Sequence, residues 1–502
     1  MEALQRLHNR GSISTGYDID NSLKVEADNS EYAEYAITST TDRRNFCFSG
    51  WVKRTELVNA TDGGQCIFGS FTEGNEGVLL RWSRENSNYY DGIQVDIGQG
   101  STNYRSYTSS LYRDTSAWYH IVLAVNTREN TASDRWKLYV NGEQVTSWAQ
   151  QQFPTADFLT SANLSGSKHT IGAYETGGTV YGKNCGYFAD FHFIDADQGD
   201  VTFLPTDFGE YDDDSGIWKP KAYAGSYGTN GFYLDFSDSA NLGDDASGNS
   251  NDFTETNITS ADQAVDSPTN NFAILSHAMQ GYYEDQWSII SDGGTKFRCT
   301  EFDAWITTVS SIGVTKGKWY AEFQPTGARP NNMYGIASME QLDNNSGYIY
   351  GGYLGKSGES WGIGYYQTNG NLFKQQNSGY TLTTAFGSSI SQNQKVGVAI
   401  DMDNHNLYIS INNTWQNSGD PTSGATGTGA ISFDDTETVA FGLSGYSLGS
   451  GNDTIVSVNF GGYRTGGMPS INSTDENGYG VFRYAPPSGY YALCTKNLEE
   501  YG

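Results

Sequence analysis

The chain is 502 residues long, beyond the usual reach of one hydrophobic core, so two or more domains are expected. It carries 29 Lys and Arg against 58 Asp and Glu, a formal net charge of -29, which repels nucleic acid and anionic membranes and excludes them as partners. Gly (60) and Tyr (35) far outnumber Pro (10), and there are no heptads and few 3.6-period runs, so the fold class is all-β.

Residues 1–30 are polar and irregular, and are read as an N-terminal arm and docking segment. They hold no apolar stretch of the kind a signal peptide needs, and no run in the chain is apolar enough to span a bilayer. A first sandwich is expected over 31–205. Phe46, Phe48, Trp51 and Val52 mark an early strand, and Ile93 to Ile97 alternates as a half-buried strand should. Trp118 to Val125 is a longer strand. Trp136 to Val140 follows and ends in Asn141-Gly142, a hairpin turn whose two residues tolerate positive φ. Phe46 to Trp51, the Trp118-Tyr119-His120 strand, Leu138 to Gly142 and Tyr187 to Phe191 resemble the laminin-G-like branch of the concanavalin-A-like lectin/glucanase superfamily. These are packing and turn motifs, so the resemblance implies a fold and not a substrate.

Residues 206–275 read as an Asp/Gly/Asn-rich connector with one strand at Gly231 to Phe236. Its densest acidic cluster, Glu210 to Asp214, is most simply a solvated loop, with a hard-cation site as the alternative. Leu242 to Asp252 resembles the opening common in laminin-G-like domains. Its Asp and Asn side chains suit either calcium or turn capping. Capping is favoured, because the late bidentate Glu of an EF-hand-like loop is missing.

A second sandwich is expected over 276–470. Lys318 to Phe323 opens a strand. Lys395 to Asp403 and Asn406 to Asn413 repeat the strand-turn-strand plan of the first sandwich, and Asn459-Phe460-Gly461 comes late. The three motifs in this order resemble a SPRY domain, which implies partner binding through loops and no catalysis. The tail, 471–502, contains Pro486-Pro487-Ser488-Gly489-Tyr490-Tyr491-Ala492-Leu493-Cys494-Thr495-Lys496-Asn497-Leu498. The whole series resembles virion proteins of marine tailed phages. The expected architecture is two tandem concanavalin-A-like/SPRY-like antiparallel β-sandwiches of jelly-roll type with an N-terminal arm.

Chemistry is sparsely signalled. The five cysteines are odd in number and widely spaced, which argues for buried thiols over a disulfide framework or zinc site. A retaining glycosidase needs two carboxylates about 5–5.5 Å apart, and the nearest string, Glu301-Phe302-Asp303-Ala304-Trp305-Ile306, lacks the final acid. No histidine pair has metal-ligand spacing. The expectation is no enzyme, no catalytic residue and no metal, with calcium the only cofactor considered. Aromatic residues crowd a Gly-rich region, and Tyr348, Tyr350, Tyr353, Trp361 and Tyr365 are the candidate ligand-binding residues, with Tyr366 beside them; the competing and favoured reading is that many of these rings are core or inter-subunit contacts. A second cluster is Tyr89, Tyr90, Tyr104 and Tyr107. The phage resemblance implies a tail-fibre, head-fibre or capsid-decoration protein located in the virion. Its expected partners are other virion proteins, host-surface glycans and further copies of itself. The alternatives are a secreted glucanase-like enzyme and a SPRY-type protein-binding module.

Overall fold

The computed structural model describes residues 16–57, 64–72, 77–85, 87–197, 199–213, 215–276, 288–300, 302–327, 329, 331–339, 352–358, 361–434, 438–448, 453–463 and 473–502. It is nearly all-β, with 44% strand and 7% helix. Two compact units divide at Thr269 and Asn270.

In the N-terminal unit, two eight-stranded sheets are formed among the described residues. The first is centred on Asn45–Arg54, which pairs antiparallel with Trp118–Asn126 on one side and Gly186–Asp195 on the other. The second runs from Trp148–Gln150 through Thr102–Thr108, Ile93–Gln99, Val78–Trp82, Gln65–Phe71 and Lys168–Ile171 to Tyr32–Ala36 and Thr254–Thr256. Period-two alternation places Phe46, Phe48, Ile121, Leu123, Phe191 and Phe193 of the first sheet against Phe68, Val95 and Ile97 of the second. The Asn141-Gly142 turn adopts the expected positive φ at both residues, 49° and 82°.

Two boundaries differ from the sequence reading. Ser22–Val25 is already a strand, paired with Gly186–Asp195 and with Gln263–Ala264, so the sheet begins inside the expected arm. Residues 1–15, where that arm would dock, lie outside the described residues. The expected connector also belongs to the fold. Phe232, Leu234, Phe236, Leu242, Phe253 and Ile258 enter the core. Phe203 and Phe208 cover the outer face of the first sheet over Cys47, Val122 and Ile194. The physical reason is that, outside the short Phe232–Leu234 strand, single apolar residues spaced through polar turns bury a sheet face without showing any period.

The C-terminal unit repeats the plan with a nine-stranded and a six-stranded sheet among the described residues. Trp319, Ala321 and Phe323, alternating along Lys318–Pro325, face Tyr334, Ile336, Ile363, Phe441 and Leu443 across the core. The expected tail is part of this unit. Tyr491–Ala492 pairs parallel with Lys318–Pro325, Phe272 bridges to Cys494, and a short helix, Thr495–Tyr501, closes the chain. Glu322, buried on the outer face of the nine-stranded sheet, accepts the backbone N–H groups of Arg483 and Tyr484, both at 2.8 Å. Asp475 likewise accepts from Tyr479 N, Ala492 N and Asn497 Nδ2. All five cysteines are buried and free.

Candidate binding face

The six-stranded sheet of the C-terminal unit runs Phe302–Val309, Val439–Leu448, Asn332–Ser338, Gly362–Tyr366, Leu372–Gln376, Gly379–Thr383. Its inner side chains are in the core. Its outer positions are small at the centre, with Gly335 opposite Gly364 and Gly442. That floor admits a second layer of chain, residues 352–356. Leu354 lies buried on it. A Cβ at Gly442 would come within 2.7 Å of Leu354 Cδ2, and one at Gly364 within 2.6 Å of Leu354 O. Thr307 Oγ1 donates to Gly352 O at 3.1 Å, and Leu354 N donates to Ser444 Oγ at 3.1 Å. Substituting Gly442→Val is therefore expected to displace this strap and to cost about 1–3 kcal/mol by overpacking. Urea unfolding with a loss of near-UV aromatic signal checks it; an unchanged midpoint would refute it.

The strap delivers Tyr353 into a group of half-buried rings on the same face. Trp305 lies 5.2 Å from Tyr353, 5.9 Å from Tyr366 and 5.4 Å from Tyr446, centroid to centroid. Phe373 completes the group, 5.6 Å from Tyr353 and 6.2 Å from Tyr366. The rings meet tilted or edge-on, as aromatic quadrupoles prefer. Tyr366 Oη donates to Asn331 Oδ1 at 3.2 Å. Burial, with Tyr380 adding to it, pushes the Tyr353 hydroxyl up from its ordinary value. Tyr380 and Leu382, on the neighbouring edge strand, are 40% and 43% exposed.

Among the described residues of the predicted site, Tyr353 reaches this face, as does its predicted neighbour Tyr366. Trp361 and Tyr365 are corrected: they are 1% and 0% exposed and lie in the core, because strand parity turns them inward while Tyr366 points out. Tyr365 spends its hydroxyl on Ser388 O at 2.5 Å. Tyr348 and Tyr350 lie outside the described residues. Sequence reasoning missed Trp305, Phe373 and Tyr446, which come from three other strands. The alternating glycines in Gly362-Ile363-Gly364 were the available signal of a covered outer face. In the second cluster, Tyr104 packs edge-on against Phe158, and Tyr89 meets Tyr107 at 5.7 Å.

The open face of the N-terminal unit is polar instead. Gln94 Nε2 donates to both oxygens of Asp96 at 3.0 Å, and Glu85 bridges Arg81 and Arg105. For cations, the described residues offer Glu26, Glu56 and Cys185, whose donor atoms lie within 4.8 Å of one another. There the Cys185 thiol donates to Glu26 Oε1 at 3.3 Å, and burial pushes it well up, which suits a hydrogen-bonded thiol better than a thiolate ligand. The Asp245 carboxylate caps its own turn, accepting from the backbone N–H groups of Tyr233, Ser247 and Asn251. Asp212 pairs with Lys219 at 3.2 Å. Glu301, the first acid of the glycosidase-like string, lies outside the described residues.

These are two antiparallel sandwiches, each with further chain packed on the outer face of a sheet. Residues 13–183 match the family model Laminin_G_3, described as the concanavalin A-like lectin/glucanases superfamily, so the N-terminal unit carries a laminin-G-like domain. Among solved structures, the chain is similar to the SPRY domain of human HERC1 (15% identity, TM-score 0.25, 34% of this chain and 91% of that one). It is also similar to the heptameric SAP-like pentraxin from Limulus polyphemus (14%, 0.26, 36% and 77%). A third is the TRIM65 PSpry domain (9%, 0.26, 38% and 92%). The search of curated proteins returned no match.

Proposed function

We propose that the chain is a non-catalytic binding and display protein of a virion, a tail-fibre, head-fibre or capsid-decoration component. Its C-terminal unit meets host-surface glycans through the Trp305–Tyr353–Tyr366–Phe373–Tyr446 face. The observation that carries this reading is the ring group itself, half-buried on an open sheet and fixed from behind by the strap. Sugars offer apolar C–H faces that stack on such rings, and rigid aromatic anchors dominate binding energy where water is excluded. The laminin-G-like domain supports a carbohydrate- or protein-binding role. The virion setting rests on the order of motifs from Asn45 to Leu498, and the net charge of -29 suits crowded copies that must stay soluble. No helix among the described residues is long and apolar enough to cross a membrane.

Glycan-array binding tests the reading. The wild-type chain is expected to retain a defined set of glycans, and Trp305→Ala to weaken them at least about tenfold while the chain stays folded. A wild-type chain that binds no glycan removes the glycan partner from the proposal.

A further inference from the structure

The first and last strands of the N-terminal unit lie side by side. Ser22–Val25 pairs antiparallel with Gln263–Ala264, with Ser22 opposite Ala264 and Leu23 opposite Gln263. One step along that register, Lys24 meets Asp262. Its Nζ lies 2.9 Å from Asp262 Oδ1 and 3.4 Å from Glu31 Oε2. All three residues are buried, at 1%, 5% and 3% exposure. The second oxygen of Asp262 is held separately: Thr259 donates to Oδ2 with its backbone N–H at 2.8 Å and its hydroxyl at 3.0 Å. Glu31 is positioned by Asn29 Nδ2, which donates to Oε1 at 2.8 Å.

An ion pair needs one carboxylate. Here two carboxyl groups share one ammonium in a dry site, and each has its own orienting donors. We propose that Lys24 and Asp262 condense to an isopeptide bond, with Glu31 carrying the protons, so that the first and last strands of the unit become covalently joined.

The step balances. A proton passes from Lys24 Nζ by way of Glu31 to Asp262 Oδ1, which leaves an amine beside a carboxylic acid. Nζ attacks Cγ; the C–N bond forms and the carbonyl pair moves to Oδ2, where the Thr259 N–H and hydroxyl hold the oxyanion. Glu31 then takes a proton from Nζ and gives one to Oδ1. The Cγ–Oδ1 bond breaks, water leaves, and the Oδ2 pair restores the carbonyl. Ammonium and carboxylate have become a secondary amide and one water, with no oxidant or co-reactant. Burial pushes the Glu31 carboxyl up to about 7, against the pull of the Lys24 ammonium and helped by the Asp262 charge, so near neutral pH it can both give and take a proton. Exclusion of water favours condensation over hydrolysis.

A second buried pair in this unit, Lys53 and Asp266 at 2.6 Å, is built differently: the Trp118 indole donates to its other oxygen at 3.0 Å. It serves as an internal control. Intact-mass spectrometry of the denatured full chain, followed by peptide mapping, is the test. The expected result is a chain lighter by one water, with the Lys24 and Asp262 peptides joined and trypsin unable to cut at Lys24. Lys24→Arg and Glu31→Gln are each expected to restore the full mass. Full mass in the wild-type chain, a water loss mapped to any other pair, or a Glu31→Gln chain that still loses water overturns the proposal.

Discussion

Replacing Glu322 with alanine is expected to loosen the chain around Arg483 and Tyr484 from the C-terminal unit and to cost it roughly 3–5 kcal/mol. The Glu322 carboxylate sits on the outer face of the nine-stranded sheet and takes two backbone N–H groups in succession, those of Arg483 and Tyr484. Asn459 Nδ2 approaches the same carboxylate at 3.5 Å and also donates to Val481 O at 2.9 Å. Alanine leaves these donors facing apolar surface, including the Tyr320–Phe482 ring contact at 5.2 Å. Glu322→Gln keeps one acceptor oxygen and should cost much less. Burial pushes the Glu322 carboxyl above its ordinary range, so the folded state holds that proton more tightly than the unfolded chain does. The sign follows: the contribution of this group is complete below the unfolded carboxylate value and is lost as pH rises through the folded one. Acid therefore should not open this latch. Limited trypsinolysis reads the result directly. Rapid cutting at Arg483 in Glu322→Ala, with the wild-type chain resistant at pH 5, is expected; equal resistance of both chains would remove the latch.

The class of the fold was legible because two strand pairs obey period two and are followed by residues that tolerate left-handed backbone, Asn141 and Asn412. Trp118–Asn126 with Trp136–Val140, and Val396–Asp401 with Asn406–Ile411, form as the pattern requires. The wrapping segments were illegible for the opposite reason. Phe203, Phe208 and Trp218 are each buried singly, between polar turns, so no window of sequence around them shows a face. Density of Tyr and Trp pointed to the correct neighbourhood for the binding face but could not sort inside from outside. Strand parity does so: Tyr365 and Tyr366 are adjacent in sequence and opposite in fate. Trp305, Phe373 and Tyr446 join Tyr353 through cross-strand register, which a single sequence does not encode in any local signal.

Both units place titratable groups where water cannot reach them, either beneath chain packed on an outer sheet face, as for Glu322 and His120, or between the sheets, as for His169. In the C-terminal unit Glu322 is met by donors. In the N-terminal unit two histidines are met by rings. Trp218 Nε1 donates to His120 Nδ1 at 3.0 Å, which fixes the tautomer so that Nε2–H donates to Ser49 Oγ at 2.8 Å. His169 has neither ring nitrogen hydrogen-bonded and lies 4.3 Å from Phe193 and 5.5 Å from Phe68.

Acid should therefore unfold the N-terminal unit steeply, and His169→Leu should remove the share of that sensitivity that His169 carries. Burial pulls both His120 and His169 down to about 3. The sign runs opposite to that of Glu322. A histidine with a depressed folded value contributes stability that is complete above the unfolded value near 6.5 and is lost as pH falls toward the folded one. Between pH 6.5 and pH 4, each group is expected to withdraw about 3 kcal/mol, which is large against the margin of an ordinary domain. Leucine at position 169 fills a similar volume, strands no polar atom among Phe68, Phe193 and Phe232, and cannot take up a proton. Its chain should match or exceed the wild type at pH 7 and exceed it by about 3 kcal/mol at pH 4. Urea unfolding followed by tryptophan fluorescence at pH 7, 5.5 and 4 provides the measurement. Parallel losses of stability in the two chains would show that His169 is not the group that acid attacks.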